Sequence, residues 1–191
     1  MEAEIFLGID PGSRRTGYAV LSRSGTRFEA LALGVLRAEQ FEEHARRLQF
    51  IFEEIQGLMQ QYKPHFCAIE TPVYGKDPLA MLKLGRAQAA CILALSAGGL
   101  EVAEYYPKAV KKSITGNGNA AKEQVAYMLA KLLNLGEEAY PADATDALAV
   151  AWCHAMRKDM PGDGHPLKRQ GRGHSAWGDF LSGNPDRIIR S

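Results

Sequence analysis

Residues 5–20 read IFLGIDPGSRRTGYAV, and this stretch decides the fold. The run up to Ile9 is apolar and ends in Asp10 followed by a Pro-Gly turn, which predicts a buried strand with one carboxylate at its C-terminal tip. Gly8 interrupts the run and leaves room for another element to pack closely against the strand. From Tyr18 the chain is apolar again, so the turn, which carries two arginines, joins the two strands of a hairpin.

The carboxylate of Asp10 needs an explanation. A charged group at the end of so apolar a segment is costly unless a cation or hydrogen bonds meet it. An aspartate before Pro-Gly also commonly caps its own turn through the backbone. This stretch alone favours neither interpretation over the other.

The composition is that of one globular domain without a disulfide framework. The chain has 191 residues, 46% apolar and 24% charged, which is enough for one well-filled core and short for two. Cys67, Cys91 and Cys153 are far apart and flanked by apolar residues, as expected of buried thiols in a reducing compartment. Neither a signal-peptide pattern nor an apolar run approaching the ~20 residues of a spanning helix is seen, so we expect a cytoplasmic protein without a membrane role.

The formal net charge of +1 conceals a basic C-terminal segment. From Arg157 to Ser191 seven lysines and arginines stand against four aspartates, with six glycines and three prolines. Such a composition cannot bury enough surface to offset the entropy of ordering the chain. We predict a domain over residues 1–156 and a disordered tail over 157–191, which is either simply solvated or a phosphate-seeking arm.

The remaining patterns predict strands that alternate with helices. Residues 26–37 alternate like a third strand, and apolar residues at helical spacing from Phe41 to Tyr62 predict a long amphipathic helix. A short apolar strand over 65–70 again ends in a carboxylate, that of Glu70. The later predictions are a helix over 78–98, a strand over 100–106, a basic helix over 107–115, a helix over 120–133 with Asn119 as its N-cap, and a last helix from about 141.

The acidic residues of these elements point to one site. Asp10 and Glu70 would lie close together if their strands are adjacent and parallel. Asp143 and Asp146 lie three apart on one face of the last helix, although aspartates in a first turn are also ordinary N-terminal residues. Four carboxylates in one cluster repel one another unless cations are bound. Oxygen ligands without histidine or cysteine favour Mg²⁺ or Mn²⁺ over zinc, as in two-metal phosphodiester chemistry.

Two helices leave alternatives open. Lys122 stands in the first turn of its predicted helix, where a cation opposes the helix dipole. Either a phosphate bound at the same helix N-terminus compensates this, or Lys122 pairs with Glu123. The helix over 78–98 is rich in glycine and alanine, which favours close packing on the sheet and equally a self-complementary dimer seam.

Four motifs resemble those of the RuvC family, the bacterial Holliday junction resolvases or crossover junction endodeoxyribonucleases. In order, they are GIDPGSRRTGYAV, AIETPVYGKDPLAMLKLGRAQA, ITGNGNAAKEQVA and ADATDALAVAWCH, and the resemblance covers residues 4–156. It implies an α/β ribonuclease H-like fold, with a five-stranded mixed sheet flanked by helices on both faces. It also implies a two-fold homodimer that nicks a four-way DNA junction symmetrically and works with the RuvA–RuvB branch-migration complex.

The resemblance also implies roles for individual residues. The catalytic, metal-binding acids are Asp10, Glu70, Asp143 and Asp146, which would hold two Mg²⁺ ions, with Mn²⁺ as a substitute. Water would attack the phosphorus in line and leave 5′-phosphate and 3′-hydroxyl ends, while Lys122 neutralises charge on the phosphate. The residues expected to contact DNA through its backbone are Lys111, Lys122, Arg14, Arg15, Lys76, Lys83 and Arg86.

The loop after Glu70 departs from the family pattern. Several members carry an aromatic residue that stacks on bases at the crossover, at the position of Val73 in this chain. The aromatic residue here is its neighbour Tyr74, so we predict that Tyr74 takes over the stacking role.

Three other functions are weighed against this resemblance. An actin-like ATPase shares the Gly-x-Asp-x-Gly core but would have a second phosphate loop and a much longer chain. A junction-binding protein without catalysis would fit better if one of the four acids were missing. A ribonuclease H-type nuclease with another substrate shares the chemistry, and only the full set of motifs argues against it.

Overall fold

A five-stranded sheet with helices on both faces forms the structure, a computed structural model that describes residues 3–73, 75, 77–136 and 140–158. The elements, in chain order, are β1 (Glu4–Asp10), β2 (Arg15–Ser24), β3 (Arg27–Arg37), a 3₁₀ turn (Ala38–Gln40), α1 (His44–Tyr62), β4 (Phe66–Glu70), α2 (Pro78–Ala97), β5 (Val102–Tyr105), α3 (Pro107–Thr115), α4 (Lys122–Leu132) and α5 (Ala142–Arg157). The predicted helix over 107–115 is found with those bounds.

The sheet order is β3-β2-β1-β4-β5. The first three strands are antiparallel neighbours, whereas β4 runs parallel to both β1 and β5. In the parallel pair Ile9 lies opposite Ile69, so the next residues, Asp10 and Glu70, end their strands side by side. The prediction that these two strands are adjacent and parallel is therefore confirmed.

The two faces of the sheet are covered by different helices, because side chains alternate along each strand. Leu7, Ile9 and Val20 point to the face covered by α1 and α2. Phe6 and Leu21 point to the face covered by α3, α4 and α5. The mixed five-stranded sheet with helices on both faces, which the resemblance implied, is confirmed.

Two glycines let α5 lie directly on the sheet. A Cβ atom at Gly8 would stand 2.3 Å from the carbonyl oxygen of Ala147, and one at Gly17 would stand 1.9 Å from that of Asp143. No larger residue fits at either position without a shift of the helix. The close approach expected at Gly8 is confirmed, and it brings the first turn of α5 to the tip of β1.

Helix α2 buries one face and exposes the other. Ala87, Ala90 and Ala94 are buried, which confirms close packing of small residues. On the outer face Leu82 and Leu93 are 51% and 62% exposed. By length and composition alone α2 could cross a membrane, contrary to our expectation that no segment was long and apolar enough. Its exposed side carries the charged residues Lys83 and Arg86.

Some local predictions were wrong. The α4 helix begins at Lys122 with Ala121 as its N-cap, and no side chain caps it. Asn119 is not the cap, because its N–H donates to the Asn117 side chain at 3.0 Å and the chain stays in a turn there. The second strand begins at Arg15, three residues before Tyr18, so the preceding turn is shorter than predicted.

All three cysteines are buried and free, as predicted. Tyr74, Lys76 and residues 159–191 lie outside the described residues, so the stacking predicted for Tyr74 and the disorder predicted for the tail stay predictions. The last described helix ends at Arg157, one residue beyond the predicted domain boundary.

Candidate active site

The turn after β1 is held by Thr16, a residue with no exposed surface. Its hydroxyl donates to the Gly12 carbonyl at 2.9 Å and accepts from the Gly12 N–H at 3.3 Å. Within the described residues no hydrogen bond reaches the Asp10 carboxylate, so Asp10 does not cap the turn. The Asp10 carboxylate is therefore available to bind a cation.

Asp10 and Glu70 share a site in which negative charge is unfavourable. Burial raises the pKa of Asp10 to about 7, and the carboxylates of Glu70 and Asp146 add to the effect. Burial likewise raises the pKa of Glu70 to about 7, with Asp146 as the next cause. The carboxylate of Asp143 also raises the pKa of Asp10. The four acids therefore act on one another electrostatically at one end of the sheet.

Two of the four acids are paired with cations from other elements. Asp143 Oδ2 lies 3.0 Å from Arg15 Nε on β2. Asp146 Oδ2 forms an ion pair with the ammonium of Lys122, at the first residue of α4. This hydrogen bond is the main reason why the pKa of Lys122 is raised. Lys122 thus pairs with an acid of α5 and not with Glu123, its neighbour in the chain.

A small pocket of about 50 Å³ joins the acids to both predicted lysines. Its polar lining consists of Glu70, Asp146, Lys111 and Lys122, and its apolar lining comes from α3, α4 and α5. Lys111 is fixed by a hydrogen bond from its ammonium to the Ala120 carbonyl at 2.7 Å. The pocket thus combines carboxylates with ammonium groups.

The other basic residues with predicted DNA contacts are more widely spread. Arg14 is exposed in the turn after β1. Lys83 and Arg86 are exposed on α2, across the sheet from the helices that line the pocket. After burial, the charges of Arg86, Arg47 and Lys83 lower the pKa of His44 at the start of α1.

Comparison with known proteins assigns the family. The family model described as Crossover junction endodeoxyribonuclease RuvC matches residues 6–154. The chain belongs to the RuvC family. RuvC of Salinibacter ruber is 42% identical over 184 residues, which cover 96% of this chain and 98% of that protein. RuvC of Bacteroides fragilis is 41% identical over 190 residues, with 98% and 97% covered.

A solved structure supports the same assignment. Thermus thermophilus RuvC in complex with a Holliday junction substrate matches with a TM-score of 0.75 at 30% identity, over 80% of this chain and 93% of that chain. The ribonuclease H-like fold implied by the motifs is thereby confirmed. The RuvC relatives align over 96–98% of this chain, so their similarity extends past residue 156 into the basic tail, further than the four motifs do.

Sequence reasoning missed two residues that shape this RuvC-family site. Thr16 closes the turn and Arg15 pairs with Asp143. Arg15 was expected to contact DNA, and nothing in the sequence distinguishes it from Arg14. The distinction follows from where β2 begins, because Arg15 starts the strand and shares a face with Gly17, against which α5 packs.

The residues present fit a hard divalent cation by their donor chemistry. Within the described ranges no three acidic, histidine or cysteine side chains are already gathered into a metal site. The carboxylates of Asp143 and Asp146 are turned to Arg15 and Lys122 instead. The donors are nevertheless all carboxylate oxygens. Asp10 and Glu70 are partly buried and have raised pKa values, so a divalent cation would stabilise their charged forms.

Proposed function

We propose that this chain is a metal-dependent endonuclease that resolves Holliday junctions by paired, symmetric nicks in two strands of like polarity. The observation that carries the proposal is the pocket lined by Glu70, Asp146, Lys111 and Lys122, with the Asp10 carboxylate close enough to act on these charges. Membership of the RuvC family supports the substrate, since a relative of this fold was solved with a Holliday junction. The products would carry 5′-phosphate and 3′-hydroxyl ends, and the reaction would serve recombination and repair of DNA.

The metal ligands we propose are the four acids, Asp10, Glu70, Asp143 and Asp146. Two Mg²⁺ ions bound there, or Mn²⁺ in their place, would activate the attacking water and stabilise charge on the scissile phosphate. The raised pKa values of Asp10 and Glu70 support this assignment, because partial burial and then the neighbouring carboxylates disfavour the charged forms that bound cations would stabilise. Asp146 would have to exchange its ammonium partner for such an ion.

The lysines of the pocket would act on the phosphate. Lys122 would neutralise charge that develops on the phosphate oxygens once it is released from Asp146. Lys111, which the Ala120 carbonyl holds in place, would bind a phosphate at the pocket wall. Further backbone contacts are proposed for exposed basic residues: Arg14, Arg15, Lys76, Lys83 and Arg86. For Arg15 the ion pair with Asp143 adds a positioning role.

We also propose a homodimer, which would supply one active site for each of the two strands. The outer face of α2 supports it, since Leu82, Ala89 and Leu93 are exposed at spacings of seven and four residues and form one apolar row. The small side chain of Ala89 would let a second copy of the helix approach closely. This face is the proposed dimer seam.

The remaining partners are proposed on family membership alone. We place the enzyme in the cytoplasm, where it would act with the RuvA–RuvB branch-migration complex. Residues 157–191 are proposed to be a basic tail separate from the nuclease domain over 1–156. Tyr74 remains our proposal for the residue that stacks on bases at the crossover.

The test is a cleavage assay with wild type and Asp146→Asn. The substrates are a mobile four-way junction, a matched linear duplex and an RNA–DNA hybrid, each with Mg²⁺ or EDTA. We expect symmetric nicks only in the junction, only with the metal, and none with Asp146→Asn. Cleavage of the hybrid instead would indicate a ribonuclease H-type enzyme, and junction binding without cleavage would indicate an architectural protein.

A further inference from the structure

An open groove of about 740 Å³ adjoins the acid pocket. Its walls include Val73 from the loop after β4, residues 106–109 at the start of α3, and Asn119 from the turn before α4. Pro107 and Lys111 line both this groove and the acid pocket. If one phosphate of a DNA strand lies at the acids, a neighbouring nucleotide of the same strand would therefore lie at the groove.

Tyr106 presents an aromatic ring on a rigid support in this groove. Its side chain is 44% exposed. The preceding Tyr105 is buried, and its hydroxyl is hydrogen-bonded to His154 Nδ1 at 2.8 Å. The Tyr106 carbonyl accepts the N–H groups of Ala109 at 2.9 Å and Val110 at 3.2 Å, which anchors the backbone as the N-cap of α3. Among the described residues no hydrogen bond or ring contact involves the Tyr106 side chain, so its ring is free to receive a ligand.

The turn before α4, which also lines the groove, packs closely against α3 at Gly118. A Cβ atom at Gly118 would stand 2.9 Å from the Lys108 carbonyl oxygen, so only glycine lets this turn pack against the start of α3. The next residue, Asn119, is exposed, and within the described part of the chain its carboxamide has no partner. The groove is thus lined both by a flat aromatic ring and by a carboxamide that offers a hydrogen-bond donor and an acceptor.

The charges around the groove indicate what it binds. Lys108 is exposed on its rim and Lys111 lies at its junction with the acid pocket, whereas none of the described residues that line it is acidic. Flat apolar surface flanked by ammonium groups suits the base and phosphates of a nucleotide. Because the groove also lies beside the acid pocket and shares Pro107 and Lys111 with it, a nucleotide of a strand bound at the acids fits it better than a separate peptide.

We infer that this groove takes one unstacked nucleobase of the strand whose phosphate lies at the acids, with the base on the ring of Tyr106 and its edge at Asn119. This inference rests on the proposed junction cleavage and adds a residue that senses the sequence near the nick. It differs from the stacking predicted for Tyr74, which concerns the crossover and another segment of the chain. An asparagine carboxamide pairs best with adenine, so Asn119 would bias the base chosen at that position.

The test combines crosslinking with sequence preference, on the full chain. Four-way junctions carry 5-iododeoxyuridine at single positions on either side of the nick, are bound in EDTA and irradiated, and the crosslinked residue is identified by mass spectrometry. The same positions are then varied through all four bases in cleavage assays with Mg²⁺. The variants are Tyr106→Ala, Tyr106→Phe and Asn119→Ala. The control is Tyr127→Ala, because Tyr127 is a 64% exposed tyrosine on α4 that does not line the groove.

We expect a crosslink to Tyr106 at one position. Loss of stacking in Tyr106→Ala should lower cleavage of the preferred sequence about tenfold and flatten the preference among bases, since a stacked base is worth about 1–3 kcal/mol. Tyr106→Phe and Tyr127→Ala should match wild type, and Asn119→Ala should reduce only the discrimination.

Several results would overturn the inference. One is a crosslink to Tyr74 with none to Tyr106. Others are an equal loss on all sequences in Tyr106→Ala, a defect in Tyr106→Phe as large as that of Tyr106→Ala, and no effect of either variant. If wild type itself fails to cleave junctions, the proposed function fails first. If it cleaves them but is indifferent to Tyr106, only this inference fails.

Discussion

Arg15 Nε lies 3.0 Å from Asp143 Oδ2, and this ion pair joins the first residue of β2 to the first turn of α5. Both side chains are partly exposed, at 44% and 34%. The pair forms where Gly17 lets the helix touch the strand, two residues further along β2. A residue of the hairpin that starts the fold thereby sets the orientation of an acid that arrives more than a hundred residues later.

Replacing Arg15 separates this positioning role from simple DNA binding. We expect Arg15→Ala to slow nicking of bound junction by up to about fivefold, because an exposed ion pair contributes about 0–1 kcal/mol. Arg14→Ala, at the exposed neighbour that precedes β2 and has no described ion pair, should instead weaken binding and lessen its dependence on salt. Single-turnover rates and dissociation constants at two salt concentrations distinguish the two effects. Equal effects of both variants on binding alone would assign Arg15 to the DNA backbone only.

The raised pKa values of Asp10 and Glu70 predict an unusual pH dependence of stability without metal. Both values, about 7, lie above those of an unfolded chain, so between about pH 4 and pH 7 the folded state holds more protons. Stability from these groups is therefore present below about pH 4 and is lost as the pH rises through about 7. Urea unfolding in EDTA should show that Asp10→Asn gains more stability over wild type at pH 8 than at pH 5.

The size and the control of this effect follow from the same charges. We expect the difference between the two pH values to be on the order of 1–3 kcal/mol. Adding Mg²⁺ at pH 8 should stabilise wild type and have less effect on Asp10→Asn, because a ligand that binds only the folded state raises its stability. A gain for Asp10→Asn that is equal at both pH values would contradict the assigned repulsion.

Lys122 is predicted to act on the reaction more than on binding. Lys122→Ala should slow nicking about 100-fold, the usual loss when one preorganised charge-stabilising donor is removed, and should change junction affinity much less. Lys131→Ala, an exposed lysine further along α4, should leave both quantities unchanged. Single-turnover cleavage and binding in EDTA measure the two separately. A loss of affinity as large as the loss of rate would make Lys122 a docking residue.

Gly8 is predicted to be essential for the position of α5. The Cβ of Gly8→Ala would meet the backbone of Ala147 at 2.3 Å, and overpacking of this kind typically costs about 1–3 kcal/mol. Gly57 is the matched control, because a Cβ placed there in the middle of α1 would meet no atom within 4 Å beyond the adjacent backbone of its own helix. Gly57→Ala should raise stability by about 0.5–1 kcal/mol. If the urea midpoint of Gly8→Ala does not fall below that of wild type, α5 adjusts to the added methyl group without cost.

Much of this fold could be predicted from apolar periodicity. Strands of period two and helices of period 3.6 are local patterns, so α3 was predicted with its observed bounds and the other elements within a few residues. Asn119 shows where local signals compete, since an asparagine two residues earlier holds the chain in a turn and the helix starts later. The start of α4 depends on which side chain accepts a hydrogen bond from the backbone N–H groups of this turn. The residue types alone do not determine that choice.

The candidate site was predictable in its acids and not in their partners. Asp10 and Glu70 each end an apolar strand, so a charged residue at that position stands out in the sequence. The pairing of Asp143 with Arg15 depends on the approach of α5 to β2, a contact that no local pattern encodes. The groove beside Tyr106 likewise forms only where the start of α3 and the turn before α4 pack together at Gly118.

The exposed face of α2 makes the homodimer testable. Leu93→Glu would place a charge in the apolar row of the proposed dimer seam, where Leu93 is 62% exposed and no described element covers it. We expect this variant to sediment as a monomer and to make uncoupled single nicks, with stability unchanged. Leu132→Glu, a half-exposed leucine at the end of α4, is the control and should stay dimeric. If Leu93→Glu remains a dimer with paired nicks, the seam lies elsewhere, because a buried glutamate at its centre could not be tolerated.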